Sequence, residues 1–213
     1  MQYYIFDMDG VLIHSEPIIM KAAEDALALY GIKAGREDFL PYIGAGEEKF
    51  ISGPAAAAGK EAEIPAIMAE MYRRYRENVY TGLAVFPGAA GTVRELQKQG
   101  KTLALVSSSE WEKLMVSLDA AGIDETCFTV ILSGSDVARK KPDPEPYRKA
   151  AEMLGAAAED CVVIEDALSG VRAAKGAGMA CVAVTNSFSK EALLAAGADR
   201  CIGNLDELLQ ELL

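Results

Sequence analysis

The stretch YYIFDMDGVLIHSEP, residues 3–17, decides how the rest of the chain is read. An apolar run ends at Phe6, and two carboxylates one residue apart, Asp7 and Asp9, follow it with Gly10 directly behind. Such a run reads as the first strand of a buried sheet, and a buried strand that ends on two anions needs positive charge close by. From about Phe86 onward one rhythm recurs: a short apolar run, a polar cluster, then a segment with apolar residues at helical spacing.

Residues 103–106 lead into Ser107, Ser108 and Ser109, and then into a helix whose Leu114, Met115, Leu118 and Ala121 share one face before Gly122 stops it. Residues 129–132 repeat the strand; the polar loop SGSDVARKKPDPEP follows, then a helix around Tyr147, Ala150, Ala151 and Leu154. Residues 161–164 precede EDALSG and a helix reaching about Gly176. Residues 180–184 precede a short helix at 191–196, and a leucine-rich helix capped by Asn204 closes the chain. The alternation predicts an α/β fold: a Rossmann-like, mainly parallel sheet core in three α/β/α layers.

Residues 14–84 carry no convincing strand pattern and read as an inserted α-helical cap. The predicted domains are therefore a catalytic core of residues 1–13 and 85–213 and a cap of residues 14–84. Ser15 can cap a first helix with Pro17 in its first turn; Ile18, Ile19, Ala22, Ala23, Ala26 and Leu27 form its stripe and Gly31 ends it. A second helix is predicted over residues 65–80, with the connections IGAGEE and SGPAAAAGK between the two. The alanine run at 55–58 reads as tight helix packing or a loop.

The chain has 213 residues, 51% hydrophobic and 25% charged, enough to bury a substantial core, and no apolar run approaches the roughly 20 residues a bilayer requires. The opening residues MQYYIFDMDG lack the basic and apolar regions of a leader, so a cytoplasmic location is expected. Cys127, Cys161, Cys181 and Cys201 are widely spaced beside apolar neighbours, and read as reduced core residues. A net charge of −11 argues against a nucleic acid or membrane-surface partner, because both are anionic. An anionic small ligand needs local help from a cation or from helix amino termini.

Three further polar clusters fall where strands end: Ser107, Lys141 in the loop after residues 129–132, and the pair Glu165 and Asp166. With Asp7 and Asp9 they all occupy one edge of the sheet, where open α/β folds bind ligands at a topological switch point. A divalent cation together with a lysine makes the acidic strand ends tolerable, and Mg²⁺, which seeks oxygen ligands, suits Asp7, Asp9, Glu165 and Asp166. Each cluster taken singly has a plainer reading: a turn at Asp7–Asp9, helix caps at 107–109 and at 165–166, a solvated loop cation at Lys141. Four such coincidences at strand ends favour the functional one.

In this order and spacing, DxDG at residues 7–10, the strand-end Ser107, KPDP at 141–144 and VIEDALSG at 163–170 resemble the four motifs of the haloacid dehalogenase-like hydrolases. The position of the cap and the sequence DGVLxxSEP are similar to the branch of β-phosphoglucomutase and phosphoglycolate phosphatase. The resemblance implies Asp7 as nucleophile forming an aspartyl-phosphate, and Asp9 as general acid and base that also offers its backbone carbonyl to Mg²⁺. It implies Ser107, Ser108 and the amides of the turn through Met8 and Gly10 as phosphate ligands, with Lys141 offsetting transition-state charge and Glu165 and Asp166 anchoring the metal.

Three functions follow from it: a phosphatase of a small phosphate monoester of the sugar-phosphate or phosphoglycolate type, a phosphomutase, or a silent phospholigand-binding protein. Intact Asp7 and Asp9 argue against the third. Against the mutase pattern, Ile19 stands at a hinge histidine, Glu47 at a cap arginine and Trp111 at an asparagine, and an acid at 47 repels the second phosphate a mutase must grip unless Lys49 or Arg73 compensates. The phosphatase, acting on a small phosphorylated metabolite, is the expected function. His14 reads as a surface or hinge residue. Tyr72, Tyr75, Tyr80, Arg73, Arg74 and Arg76 read as a cap helix with one packed and one solvated face. Neither substrate nor oligomeric state is legible.

Overall fold

The computed structural model describes residues 1–39, 42 and 47–210. Among these, strands β1 (Tyr3–Phe6), β4 (Thr102–Val106), β5 (Val130–Leu132), β6 (Cys161–Glu165), β7 (Ala180–Val184) and β8 (Arg200–Ile202) form one parallel sheet in the order β5-β4-β1-β6-β7-β8. The central strand is therefore the first one, and the order reverses across it. A crevice opens at such a reversal because the connections on its two sides leave toward opposite faces.

Alternation along β1 feeds both faces. Tyr4 and Phe6 pack with Leu103, Leu105 and Ile164 beneath helices α5 (Ala89–Lys98) and α6 (Trp111–Ala120). Ile5 packs with Ala104, Val106 and Val163 beneath α7 (Glu145–Leu154), α8 (Leu168–Gly176) and α9 (Lys190–Ala196). The expected three-layer core is thus present, and helix α10 (Asp206–Gln210) adds Leu208 to the first face. Asn204 Oδ1 accepts from the Asp206 amide, the cap expected there.

Helices α1 (Glu16–Leu29), α2 (Arg36–Phe39), α3 (Glu48–Ala57) and α4 (Ile64–Gly82) lie between β1 and β4 in the chain and share a separate apolar cluster. Ile19, Ala23 and Leu27 of α1 meet Ile67, Met71 and Tyr75 of α4, with the Phe39 and Phe50 rings packed at a tilt, centroids 5.4 Å apart. The unit is stapled at its stem by two short strands not expected from the sequence, β2 (Ile13–His14) and β3 (Ala84–Val85), which pair antiparallel. His14 sits on that stem, 5.8 Å from the Phe86 ring, and 3.8 Å from the Glu16 carboxylate.

The alanine run belongs to α3, which continues through Pro54 to Ala57. Most of the expected IGAGEE connection lies outside the described residues. Strand β8 was also not expected: it is short, sits on the sheet edge and contains Arg200, so it lacks the continuous apolar run of the inner strands. No helix among the described residues is long and apolar enough to cross a membrane. Cys127, Cys161 and Cys181 are buried thiols and Cys201 is half-buried, none of them in a disulfide.

Candidate active site

The turn after β1 is wound tightly, the amides of Val11, Leu12 and Ile13 all donating to the Met8 carbonyl. Gly10 sits there at φ 90°, and a Cβ on it would fall 1.9 Å from Asp166 Oδ2, so no side chain fits between the two strand ends. The Gly10 amide donates to the Ile13 carbonyl and the Asp7 amide to Ile164.

Two acidic centres emerge from this turn. In the first, Lys141 Nζ lies 2.5 Å from Asp7 Oδ1, 2.8 Å from Glu165 Oε1 and 3.3 Å from the Val106 carbonyl. It is no solvated loop cation; its side chain is 4% exposed. Glu165 is saturated: Tyr147 Oη donates to Oε1 at 2.8 Å, and the amides of Asp166 and Ala167 donate to Oε2. Glu165 does not cap α8, whose first turn lies beyond these two amides; its carboxylate faces Asp7 and Lys141. Gly170 on α8 lets it sit there, since a Cβ would come within 1.6 Å of Oε1.

Asp7, Glu165 and Asp166 each place an oxygen within 4.8 Å of the others. One lysine does not balance three buried carboxylates. Burial, with Glu165 and Asp9 adding repulsion, pushes Asp7 up to about 8 even against Lys141. Burial and the charges of Glu165 and Asp7 likewise hold Asp166 well above the ordinary carboxylate range, while Ser187 Oγ donates to its Oδ2. A deficit of positive charge among hard oxygen donors is the setting that accommodates a divalent cation such as Mg²⁺.

Asp9 belongs to a different centre. Its carboxylate accepts from Ser15, from Ser109 at 3.0 Å and from Lys113 Nζ at 2.8 Å. Burial would raise it, but the Lys113 ammonium and these hydrogen bonds outweigh that, and Asp9 ends below its ordinary value. Its side chain stands outside the three-carboxylate cluster, which leaves its backbone carbonyl as the expected metal contact. Ser15 does not cap α1 through its side chain; its hydroxyl is spent on Asp9. The serines at 107–109 are not the cap of α6 either, because Glu110 occupies that position. Ser107 Oγ accepts from the Ser109 amide, and Ser108 lines the pocket that holds Asp7 and Asp9.

Lys113, which the sequence reading passed over, is the hub of this second centre. Its side chain is 1% exposed and contacts Asp9, Ser109 Oγ at 3.0 Å and Glu47 Oε1 at 3.0 Å. Ser109, Lys113 and Ser117 recur every fourth residue, a buried polar stripe beside the apolar one on α6, and that spacing was the available signal. Ser117 passes the stripe on to the helical unit through Tyr75 Oη at 2.8 Å. Ser187 and Tyr147 were also passed over. Both reach the carboxylates from loops and faces distant in sequence, and nothing local marks them.

The family model of haloacid dehalogenase-like hydrolases matches residues 4–184. The chain is 30% identical to the phosphoglycolate phosphatase of Shigella boydii, covering 97% of this chain and 90% of that one. It is 37% identical, over 94% of its length, to Protein SUPPRESSOR OF QUENCHING 1, chloroplastic, of Arabidopsis thaliana, but spans only 20% of that larger protein. The structure of CbbY from Rhodobacter sphaeroides in complex with phosphate superposes with a TM-score of 0.82 at 28% identity, over 97% of this chain and 96% of that one.

A parallel sheet with its acidic ends gathered at the reversal, matched over most of its length, places the chain in the haloacid dehalogenase-like hydrolase family. Within that family it is an enzyme of the phosphatase kind.

Proposed function

We propose that the chain is a Mg²⁺-dependent phosphatase that hydrolyses a small phosphate monoester through a phosphorylated Asp7. One observation carries the reading: two aspartates on a single turn stand in opposite electrostatic settings, Asp7 among carboxylates short of positive charge and Asp9 against a lysine and two hydroxyls. Groups whose surroundings push their proton affinities apart take different roles in one reaction.

In this reading Asp7, Asp166, the Asp9 carbonyl and, through its charge, Glu165 would hold Mg²⁺, which supplies charge neutralisation when bound. Asp7 attacks phosphorus; its Oδ–P bond forms as the bond to the leaving oxygen breaks, and Asp9 gives that oxygen its proton. Water then attacks the phosphoaspartate, Asp9 takes the water's proton, and inorganic phosphate leaves with Asp7 restored. The anionic form of Asp9, which Lys113, Ser15 and Ser109 favour, is the form that serves water. The protonated form requires the Lys113 contact to loosen, and Glu47 is a second acceptor for that ammonium. Lys141, Ser107, Ser108 and the Met8 amide would meet the phosphoryl oxygens.

Residues 14–84 act in this reading as a cap over the crevice, with β2 and β3 as its stem. The mutase reading is not favoured, since Arg73 pairs with Glu70 and Glu77 on the outer face of α4, and Lys49 is exposed. The cytoplasmic placement stays part of the proposal. The test is phosphate release from a panel of phosphate monoesters with Mg²⁺ and with chelator, run beside an isomerisation assay on β-glucose-1-phosphate. Release that stops reversibly with chelator is expected; isomerisation with little release overturns the assignment.

A further inference from the structure

The pocket that holds Asp7 and Asp9 is unusually anionic. Six carboxylates line it, those of Asp7, Asp9, Glu16, Glu47, Glu165 and Asp166, against two ammonium groups, Lys113 and Lys141. Both ammonium groups are spent. Lys141 is divided between Asp7 and Glu165, and Lys113 between Asp9 and Glu47. A divalent cation at the first centre relieves Asp7 and Asp166, and leaves the second centre as it is.

Glu47 is the carboxylate with no place in the reaction. It stands at the amino end of α3, is 8% exposed, and is fixed from the core by Ser109 Oγ at 2.5 Å and Lys113 Nζ at 3.0 Å. Ser109 Oγ also lies 3.0 Å from Asp9 Oδ2, so a single hydroxyl stands between Glu47 and the group that serves the leaving oxygen. The part of a substrate just beyond its ester oxygen therefore meets Glu47 first. Apart from Lys113 and Lys141, both already paired, the described lining holds no cation. Arg73 and Arg74 are engaged with Glu70 on α4, and Arg36, outside the lining, acts weakly on Glu16. The undescribed residues near this end, 40, 41 and 43–46, are Leu, Pro, Ile, Gly, Ala and Gly, which carry no charge. Ile19, Phe50 and Phe188 complete the wall with apolar surface.

We propose that Glu47, anchored by Lys113, sets the specificity of the pocket: it admits phosphate monoesters whose alcohol part carries no second anionic group and turns away those bearing a carboxylate or a second phosphate. The inference rests on the phosphatase reading of the same pocket and narrows it. A second anion at this point faces a like charge at short range in a partly dehydrated wall, with no free cation beside it. Among the relatives, one is named a phosphoglycolate phosphatase, and a mutant of CbbY has been crystallised with xylulose-1,5-bisphosphate.

The test compares two esters of similar size, 2-hydroxyethyl phosphate and 2-phosphoglycolate, on the full chain and on Glu47→Gln with Mg²⁺. For the unaltered chain, kcat/KM for the hydroxyethyl ester should exceed that for phosphoglycolate by about tenfold or more, a ratio set by charge repulsion. In Glu47→Gln the ratio should shrink to about threefold or less, through a lower KM for phosphoglycolate. A purely structural role for Glu47 lowers both esters together and leaves the ratio, and that result overturns the proposal, as does an unaltered chain that prefers phosphoglycolate. If neither ester releases phosphate, the phosphatase reading itself fails. Calorimetric binding of the two esters to Asp7→Asn then still decides: tighter binding of the hydroxyethyl ester supports the charge preference, and equal or tighter binding of phosphoglycolate overturns it.

Discussion

The sheet core and the helical unit of residues 14–84 both carry many charges, but they use them in opposite ways. In the core, Lys113 and Lys141 are buried and each is shared by two carboxylates. On α4 the charges lie outward: Arg73 is 47% exposed and bridges Glu70 and Glu77, and Arg76 reaches Glu112 with both side chains largely in water. Burying an ion pair costs more in dehydration than it returns, so the core pairs are a poor way to gain stability and a good way to hold reactive groups in place. The α4 pairs are cheap and exchangeable. The contrast teaches where a substitution will cost activity, where it will cost stability, and where it will cost neither.

The largest effect should come from Asp7→Asn, which keeps the shape of the turn and removes the attacking oxygen. Turnover should fall by about 10⁴-fold or more, with a native circular dichroism spectrum; retention of most activity refutes the nucleophile assignment. Next comes Lys141→Met, which leaves Glu165 buried without its cation and should cost about 3–5 kcal/mol by denaturant unfolding. A loss below 1 kcal/mol would show that Glu165 is not held as a charge.

A third outcome concerns acidity in chelator. The folded chain holds Asp7 with an affinity near 8 against an ordinary 3.8, so between those values it keeps a proton that the unfolded chain has released. Stability contributed by this group should therefore fall as pH rises from about 4 to about 8, and Mg²⁺ should raise the melting temperature more at pH 8 than at pH 5. A metal effect independent of pH breaks this account.

Smaller is Tyr75→Phe at the buried seam between α4 and α6. Loss of the 2.8 Å bond to Ser117 should cost about 1 kcal/mol, read by a double-mutant cycle with Ser117→Ala. Smallest is Arg76→Ala, which removes an exposed pair and should shift stability by less than about 0.5 kcal/mol. If it matches Tyr75→Phe, the contrast between buried and solvated contacts across that seam disappears.

The same contrast explains what could be read from the residues alone. The inner strands announced themselves because parallel strands buried on both faces are continuous apolar runs, and Asp7, Ser107 and the pair Glu165 and Asp166 were visible as polar residues where those runs stop. Strands of two residues, such as β2 and β3, contain too little pattern to see. Lys113 stayed hidden because it sits inside a helix where a charge is ordinarily solvated. Its burial depends on Asp9 and Glu47, more than a hundred and more than sixty residues away. Ser15 misled for a related reason. A serine before a helix has two uses for its hydroxyl, and the nearby carboxylate took it.

The seating of β1 between β4 and β6 also bears on how the chain is made. Its partners, Thr102–Val106 and Cys161–Glu165, leave the ribosome long after it does, so its apolar side chains wait unpaired while α1 to α4 emerge next with a core of their own. The helical insert can thus fold while the strand preceding it is still unclaimed. The late arrival of β6, which brings Glu165, fills the last open edge of β1, and β7 and β8 then extend the sheet beyond it.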